Sequence, residues 1–125
     1  LEQSGYEGHV TYADRELLDE LRRSAANLHV KLPEARTHSS DVIYYKPEKR
    51  AVLASRMRNE YGCDIVECEC FALFHNAAVT GKKAAGLMQV VDLVNRDLHA
   101  TSEEREQAGL RMFEVALGTL LLEDR

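Results

Sequence analysis

Stretches whose apolar residues recur at helical spacing alternate along this chain with short apolar runs, and that alternation restricts the fold more than any other feature. Ala13, Leu17, Leu18, Leu21, Ala25 and Leu28 recur at helical spacing with charges between them, which predicts a helix from Ala13 to about Leu28. Thr11 followed by Asp14 offers a cap for it. From His29 to about Ala35, Val30 and Leu32 alternate with polar residues and read as a strand interrupted by Pro33. Arg36 to Asp41 is polar and reads as irregular, and Val42-Ile43-Tyr44-Tyr45 forms a second apolar run that stops at Lys46-Pro47. Pro47 suits a first helical turn, Val52, Leu53, Met57 and Tyr61 continue the helix, and Gly62 closes it. With five basic residues between Lys46 and Arg58, it reads as an amphipathic, solvated outer helix.

Further on, Asp64 opens a very short strand, and Cys70 to Ala78 is apolar enough to read as a buried helix that ends at Gly81. Ala84 to Val91 has the pattern of a strand covered on both faces, ending in Asp92, with a charged loop after it. Thr101 with Glu104 three places later is a capping box. The helix it opens runs to about Leu121, with Ala108, Met112, Val115, Ala116 and Leu120 on its inner side. Helices and strands in this order predict an α/β layer around a mixed or parallel sheet. At 125 residues the chain holds one domain, with residues 1–12 as an irregular lead-in.

Charge and cysteine content exclude several functions. Sixteen basic against 21 acidic residues leave a formal net charge of −5, so no nucleic-acid or anionic-membrane partner is expected. The apolar runs are all shorter than a membrane span, and no basic segment followed by an apolar one marks a signal peptide. Cys63, Cys68 and Cys70 are odd in number and flanked by apolar positions, which fits reduced thiols and a cytoplasmic location. Taken with His75 they match no compact zinc spacing, so they read as small buried hydrophobes and no metal is expected. His9, His29, His38 and His99 are isolated and read as surface or satisfied residues, and no glycine-rich phosphate loop is present.

Two places carry chemistry. In Val66-Glu67-Cys68-Glu69-Cys70 a pair of carboxylates sits where a short strand meets an apolar helix. Carboxylates in such a run are costly unless something satisfies them. Glu69 is either a helix-start residue with Glu67 as a surface neighbour, or a carboxylate that accepts hydrogen bonds from the vicinal hydroxyls of a sugar. Asp92, at the end of its strand, is either the start of an Asx turn or a semi-buried acid able to deliver a proton. Arg105 lies in the first turn of the last helix, where the helix dipole disfavours a cation, and a nearby carboxylate would explain it. Thirteen residues separate it from Asp92.

Together these residues resemble the C-terminal half of the nucleoside phosphorylase family, which includes purine nucleoside phosphorylases, uridine phosphorylases and methylthioadenosine nucleosidases. The hexameric bacterial purine branch is the most similar. The family's Val-Glu-Met-Glu is matched by Val66-Glu67-Cys68-Glu69, its Ser-Asp strand end by Val91-Asp92, and its late Glu-Arg-Gln by Glu104-Arg105-Glu106. Its Phe-Tyr-Ser-Pro segment is similar to Tyr44-Tyr45-Lys46-Pro47, and the resemblance covers roughly residues 13–124. The 23-residue spacing from Glu69 to Asp92 fits the purine branch without a gap, as does the spacing from Asp92 to Arg105.

The resemblance implies an α/β fold with a mixed central sheet flanked by helices, of which only the C-terminal half is represented. It implies that Tyr44 lies against the base and that Cys68 packs beneath the ribose with Glu67 beside it. Glu69 would bind the 2′- and 3′-hydroxyls, and Asp92 would protonate or hydrogen-bond N7 of a purine leaving group, with Arg105 promoting that proton transfer. The implied reaction is phosphorolysis of a purine (deoxy)nucleoside to free base and sugar 1-phosphate, a glycosyl transfer of purine salvage. It uses no cofactor beyond inorganic phosphate as co-substrate. A nucleosidase of the same family, or a non-catalytic homologue that binds or assembles, are the alternatives. The phosphate side of such a site belongs to the family's N-terminal half, so the isolated chain is expected to be inactive and to work as a homo-oligomer or with a companion fragment. Three departures bear on the substrate: Cys68 is shorter than the usual Met, Val91 replaces a Ser, and Phe71 replaces a small residue.

Overall fold

The structure, a computed structural model, describes residues 8–93 and 98–123. They form α1 (Arg15–Asn27), β1 (Thr37–Ser39), α2 (Pro47–Tyr61), β2 (Ile65–Glu67), α3 (Cys70–Val79), β3 (Asp92–Leu93), β4 (Leu98–His99) and α4 (Ser102–Glu123). The architecture is mixed α/β: β1 and β2 pair in parallel and β3 and β4 antiparallel, as two separate two-stranded pieces. Most of the lead-in expected over 1–12 and the charged loop over 94–97 lie outside the described residues.

Helix ends follow local chemistry. The Asp14 carboxylate accepts the Leu17 amide at 3.0 Å, which caps α1. Gly62 adopts φ 67°, a left-handed turn that lets the Gly62 and Cys63 amides reach back to the Arg58 and Met57 carbonyls. The Thr101 amide donates to Glu104 at 2.8 Å while the Glu104 amide donates to the Thr101 hydroxyl at 3.2 Å, so the expected capping box is present.

The core lies where α1 crosses α4. Leu21 and Ala25 bury against Val115, which is 2% exposed, and Val30, Leu32, Ala85 and Leu87 pack around them. The helices approach closely enough for the buried Ser24 hydroxyl to donate to the Val115 carbonyl at 2.7 Å. Gly118 makes this approach sterically feasible, since a Cβ there would overlap Ser24 Oγ. Around this core the surface is open. The accessible area is 9949 Å², where a folded monomer of this mass exposes about 6,700 Å².

Several sequence expectations change. No ladder forms over 29–35; the strand is instead the polar Thr37-His38-Ser39, expected to be irregular. Its position follows from its partner: Thr37 and Ser39 pair in register with Ile65 and Glu67, and the Asp64 amide donates to the Arg36 carbonyl at 2.8 Å. Among the described residues no strand pairs with Ala84 to Val91, so this stretch, half-buried apart from the exposed Val90, is not a strand and the ladder begins only at Asp92. Of α3, expected to be buried, only Cys70 and His75 are, and Leu73 and Val79 face solvent. Helix α2 is the solvated outer helix expected, with no buried residue, but its apolar residues form no single inner stripe: Leu53 and Met57 are half-buried while Val52 and Tyr61 are exposed. Leu120, expected inside, is exposed on α4. Only Cys70 of the three cysteines is buried.

Candidate functional site

Two side-chain clusters carry the site residues. The first is built on the β1–β2 pair. Parallel register sets Ser39 opposite Glu67, and period-two alternation puts Thr37 on the same face. Glu67 Oε1 accepts the Thr37 hydroxyl at 3.1 Å and the Ser39 hydroxyl, while Oε2 accepts the Glu69 and Cys70 amides, each at 2.6 Å. The carboxylate therefore closes the N-terminal end of α3, where unpaired amides favour an anion. Partial burial pushes its pKa up, but the bonds from Ser39, Cys70, Glu69 and Thr37 outweigh that and hold it below the usual carboxylate range.

Glu69 stands in the N-cap position of α3 yet makes no side-chain cap bond. Its exposed carboxylate accepts the Cys68 amide at 3.1 Å. The two glutamates thus divide the work: Glu67 is saturated by four protein donors, and Glu69 faces outward. Cys68 is exposed beside them. Burial first, then the Glu67 carboxylate, pushes the Cys70 thiol up to about 11, so it stays neutral. A Cβ on Gly86 would lie 3.2 Å from this sulfur, so the glycine lets the 84–91 stretch pass close to α3.

The second cluster surrounds Asp92. Asp92 opens β3 rather than closing a buried strand, and its side chain is half exposed. The Asp92–His99 register pair of β3 and β4 brings His99 Nδ1 to 2.7 Å from Asp92 Oδ1. Arg105, from the first turn of α4, reaches the same oxygen at 3.9 Å and donates through Nε to the Ala100 carbonyl at 3.1 Å. The unfavourable dipole position of Arg105 thus has the nearby carboxylate that the sequence calls for. The His99 hydrogen bond, then the charges of His99, Arg105 and Arg50, hold Asp92 below the usual carboxylate range against a desolvation cost. An open depression of about 470 Å³ runs beside them, lined by Gln89, Asp92, Leu98, His99 and Glu104 among others.

Tyr44 joins neither cluster, being 96% exposed. His99, read from sequence as isolated, is the residue that sequence reasoning missed. The signal for it is the antiparallel register of two short strands, which sets residues seven apart face to face. Among the described residues no group of three or more His, Cys, Asp or Glu could hold a metal ion, and no helix is long and apolar enough to cross a membrane.

Comparison with known proteins bears on what these clusters are for. A family model described as the phosphorylase superfamily matches residues 2–122. A protein named purine nucleoside phosphorylase DeoD-type from Streptococcus pyogenes is 33% identical over 114 residues, covering 90% of this chain and 46% of that protein. Proteins of the same name from Colwellia psychrerythraea and Proteus mirabilis are 33% and 31% identical, covering 87% and 90% of this chain and 45% and 46% of their own lengths. The chain spans about half the length of the curated relatives it matches. The match over nearly the whole chain and the relatives' shared name agree: the chain belongs to the phosphorylase superfamily.

Proposed function

We infer that this chain supplies the sugar- and base-binding half of a purine nucleoside phosphorylase site. The observation that carries the reading is the meeting of Asp92 and Arg105 on one carboxylate oxygen beside an open depression, although thirteen residues separate them. Breaking the bond between a purine and its sugar builds positive charge on the sugar and negative charge on the base. An acid at N7 stabilises the second, and an anionic nucleophile answers the first. Asp92 is the acid in this scheme. Arg105 neutralises its charge after the proton has left, and Glu69 orients the sugar by accepting from its vicinal hydroxyls.

Glu67 acts here by fixing the end of α3, and so the place of Glu69, with its own carboxylate already occupied. Cys68 offers an apolar contact to the sugar, and Tyr44 lies against the base. No cofactor is required; phosphate is the co-substrate, held by residues of the family's other half, in a homo-oligomer or a companion chain of the cytoplasm.

Base release from inosine, guanosine and adenosine, with and without phosphate, tests the reading alongside equilibrium binding. The chain by itself is expected to bind a purine nucleoside without cleaving it, and cleavage is expected to need phosphate and the complementary half. Cleavage without phosphate would move the assignment to a nucleosidase. Failure to bind any purine nucleoside would overturn the reading.

A further inference from the structure

The acid assigned to N7 has a difficulty that its surroundings resolve. A purine N7 presents a lone pair, and an ionised carboxylate presents another, so the two repel unless one proton lies between them. Asp92 meets His99 and Arg105, both of which favour its ionised form. Left to itself it would carry too little proton near neutral pH to serve a leaving group.

We propose that Asp92 and His99 act as one proton-carrying pair, in which the imidazole takes a proton from solvent and passes one through Nδ1 to Asp92 for delivery to the purine. This rests on the purine reading given above. Geometry supports it in three ways. The 2.7 Å separation of His99 Nδ1 and Asp92 Oδ1 is that of a charge-assisted hydrogen bond along which a proton can move. The strand register holds the two residues opposite each other. The imidazole is about half exposed, so solvent can recharge it.

The balance is simple. One proton enters the ring from water, one leaves Nδ1 for Asp92, and one leaves Asp92 for N7. The electron pair of the broken glycosidic bond stays on the base. His99 is thus a positioning residue that acts through Asp92 and need not touch the nucleoside. Among the described residues, the other charged groups near the pair are Arg105 on α4, Arg50 on α2 and Glu104 on the rim of the depression. Glu104 is held below the usual carboxylate range by the Thr101 amide and hydroxyl. Asp92 and His99 both line the depression, so the pair is placed to carry a proton to a base bound there.

Binding of inosine and of its 7-deaza analogue to the full chain, measured from pH 5.5 to 8.5 by NMR titration, tests the proposal. Ring ¹⁵N spectra recorded on the ligand-free protein accompany it. For inosine, affinity is expected to fall about tenfold per pH unit above the pair's apparent midpoint, because binding takes up one proton. His99→Gln, which keeps a donor but cannot carry a proton, moves that fall at least about one pH unit lower, towards the carboxylate range. The 7-deaza analogue, lacking the N7 acceptor, shows no such fall in either protein. In the ligand-free wild type the neutral ring carries its proton on Nδ1, and Asp92→Asn shifts it towards Nε2. An inosine profile unchanged in His99→Gln, or the same profile with the 7-deaza analogue, overturns the pair while leaving the purine site standing. Absence of inosine binding at every pH overturns the purine site and the pair with it.

Discussion

The Ser39 hydroxyl donates to the Glu67 carboxylate and, from the same oxygen, accepts the Phe71 amide at 2.8 Å. One small side chain on a three-residue strand therefore joins β2 to the first turn of α3. The connection makes the Glu67 cluster a brace for the helix end that carries Glu69, and it has a cost if broken. Ser39→Ala leaves the Phe71 amide without this acceptor and is expected to destabilise the chain by about 1–3 kcal/mol, read from urea unfolding.

Acid should reveal the same brace. The folded pKa of Glu67 lies below its ordinary value, so its contribution is fully present above about pH 5 and is lost as pH falls through the depressed folded value. Glu67→Gln is expected to flatten the acid limb of stability against pH. A limb as steep as that of the wild type would show that the four donors do not favour the ionised form.

At the α1–α4 crossing, Gly118→Ala places a methyl group against the Ser24 hydroxyl and is expected to cost about 1–3 kcal/mol. Adding Ser24→Ala removes the overlapping oxygen and should recover part of that loss, leaving a tight contact with Ser24 Cβ at 3.2 Å. Thermal unfolding of the single and double variants measures the coupling. Additive losses would mean the crossing is looser than described.

The thiols should differ in rate. Cys68 is exposed, whereas Cys70 is buried with its thiol pushed up to about 11. Iodoacetamide at pH 8 is expected to label Cys68 roughly tenfold or more faster than Cys70. Saturating purine nucleoside should slow labelling of Cys68 if the sugar rests on it. Equal labelling with and without nucleoside would remove Cys68 from the site.

Much of this was readable in the residues. Local chemistry dictates the ends of α1, α2 and α4 through Asp14, Pro47, Gly62 and the Thr101–Glu104 box, and such signals need no tertiary context. The pairing of Asp92 with Arg105 was legible because an arginine in a first helical turn calls for a carboxylate. What was not legible depends on partners distant in sequence. Thr37-His38-Ser39 is polar and becomes a strand through backbone pairing with Ile65 to Glu67, whose carboxylate accepts both hydroxyls. Ala84 to Val91 is apolar and forms no ladder because the described residues provide no strand beside it. Apolar residues on α3 and α4, among them Leu73, Val79, Phe113 and Leu117, face solvent, which the apolar patterning of these segments does not foretell. His99 looked isolated because only strand register brings it to Asp92.

Glu69 and the Asp92–Arg105 pair are expected to serve one nucleoside. The most direct measurement is an amide NMR titration of the chain with a purine nucleoside, following Cys68 to Phe71 and Asp92, Leu93 and Leu98 to Arg105 together. Both groups are expected to shift with a single dissociation constant, weakened at least about tenfold by Glu69→Ala, which removes a charge-assisted bond to the sugar. Shifts confined to one group, or none at either, would contradict a shared site.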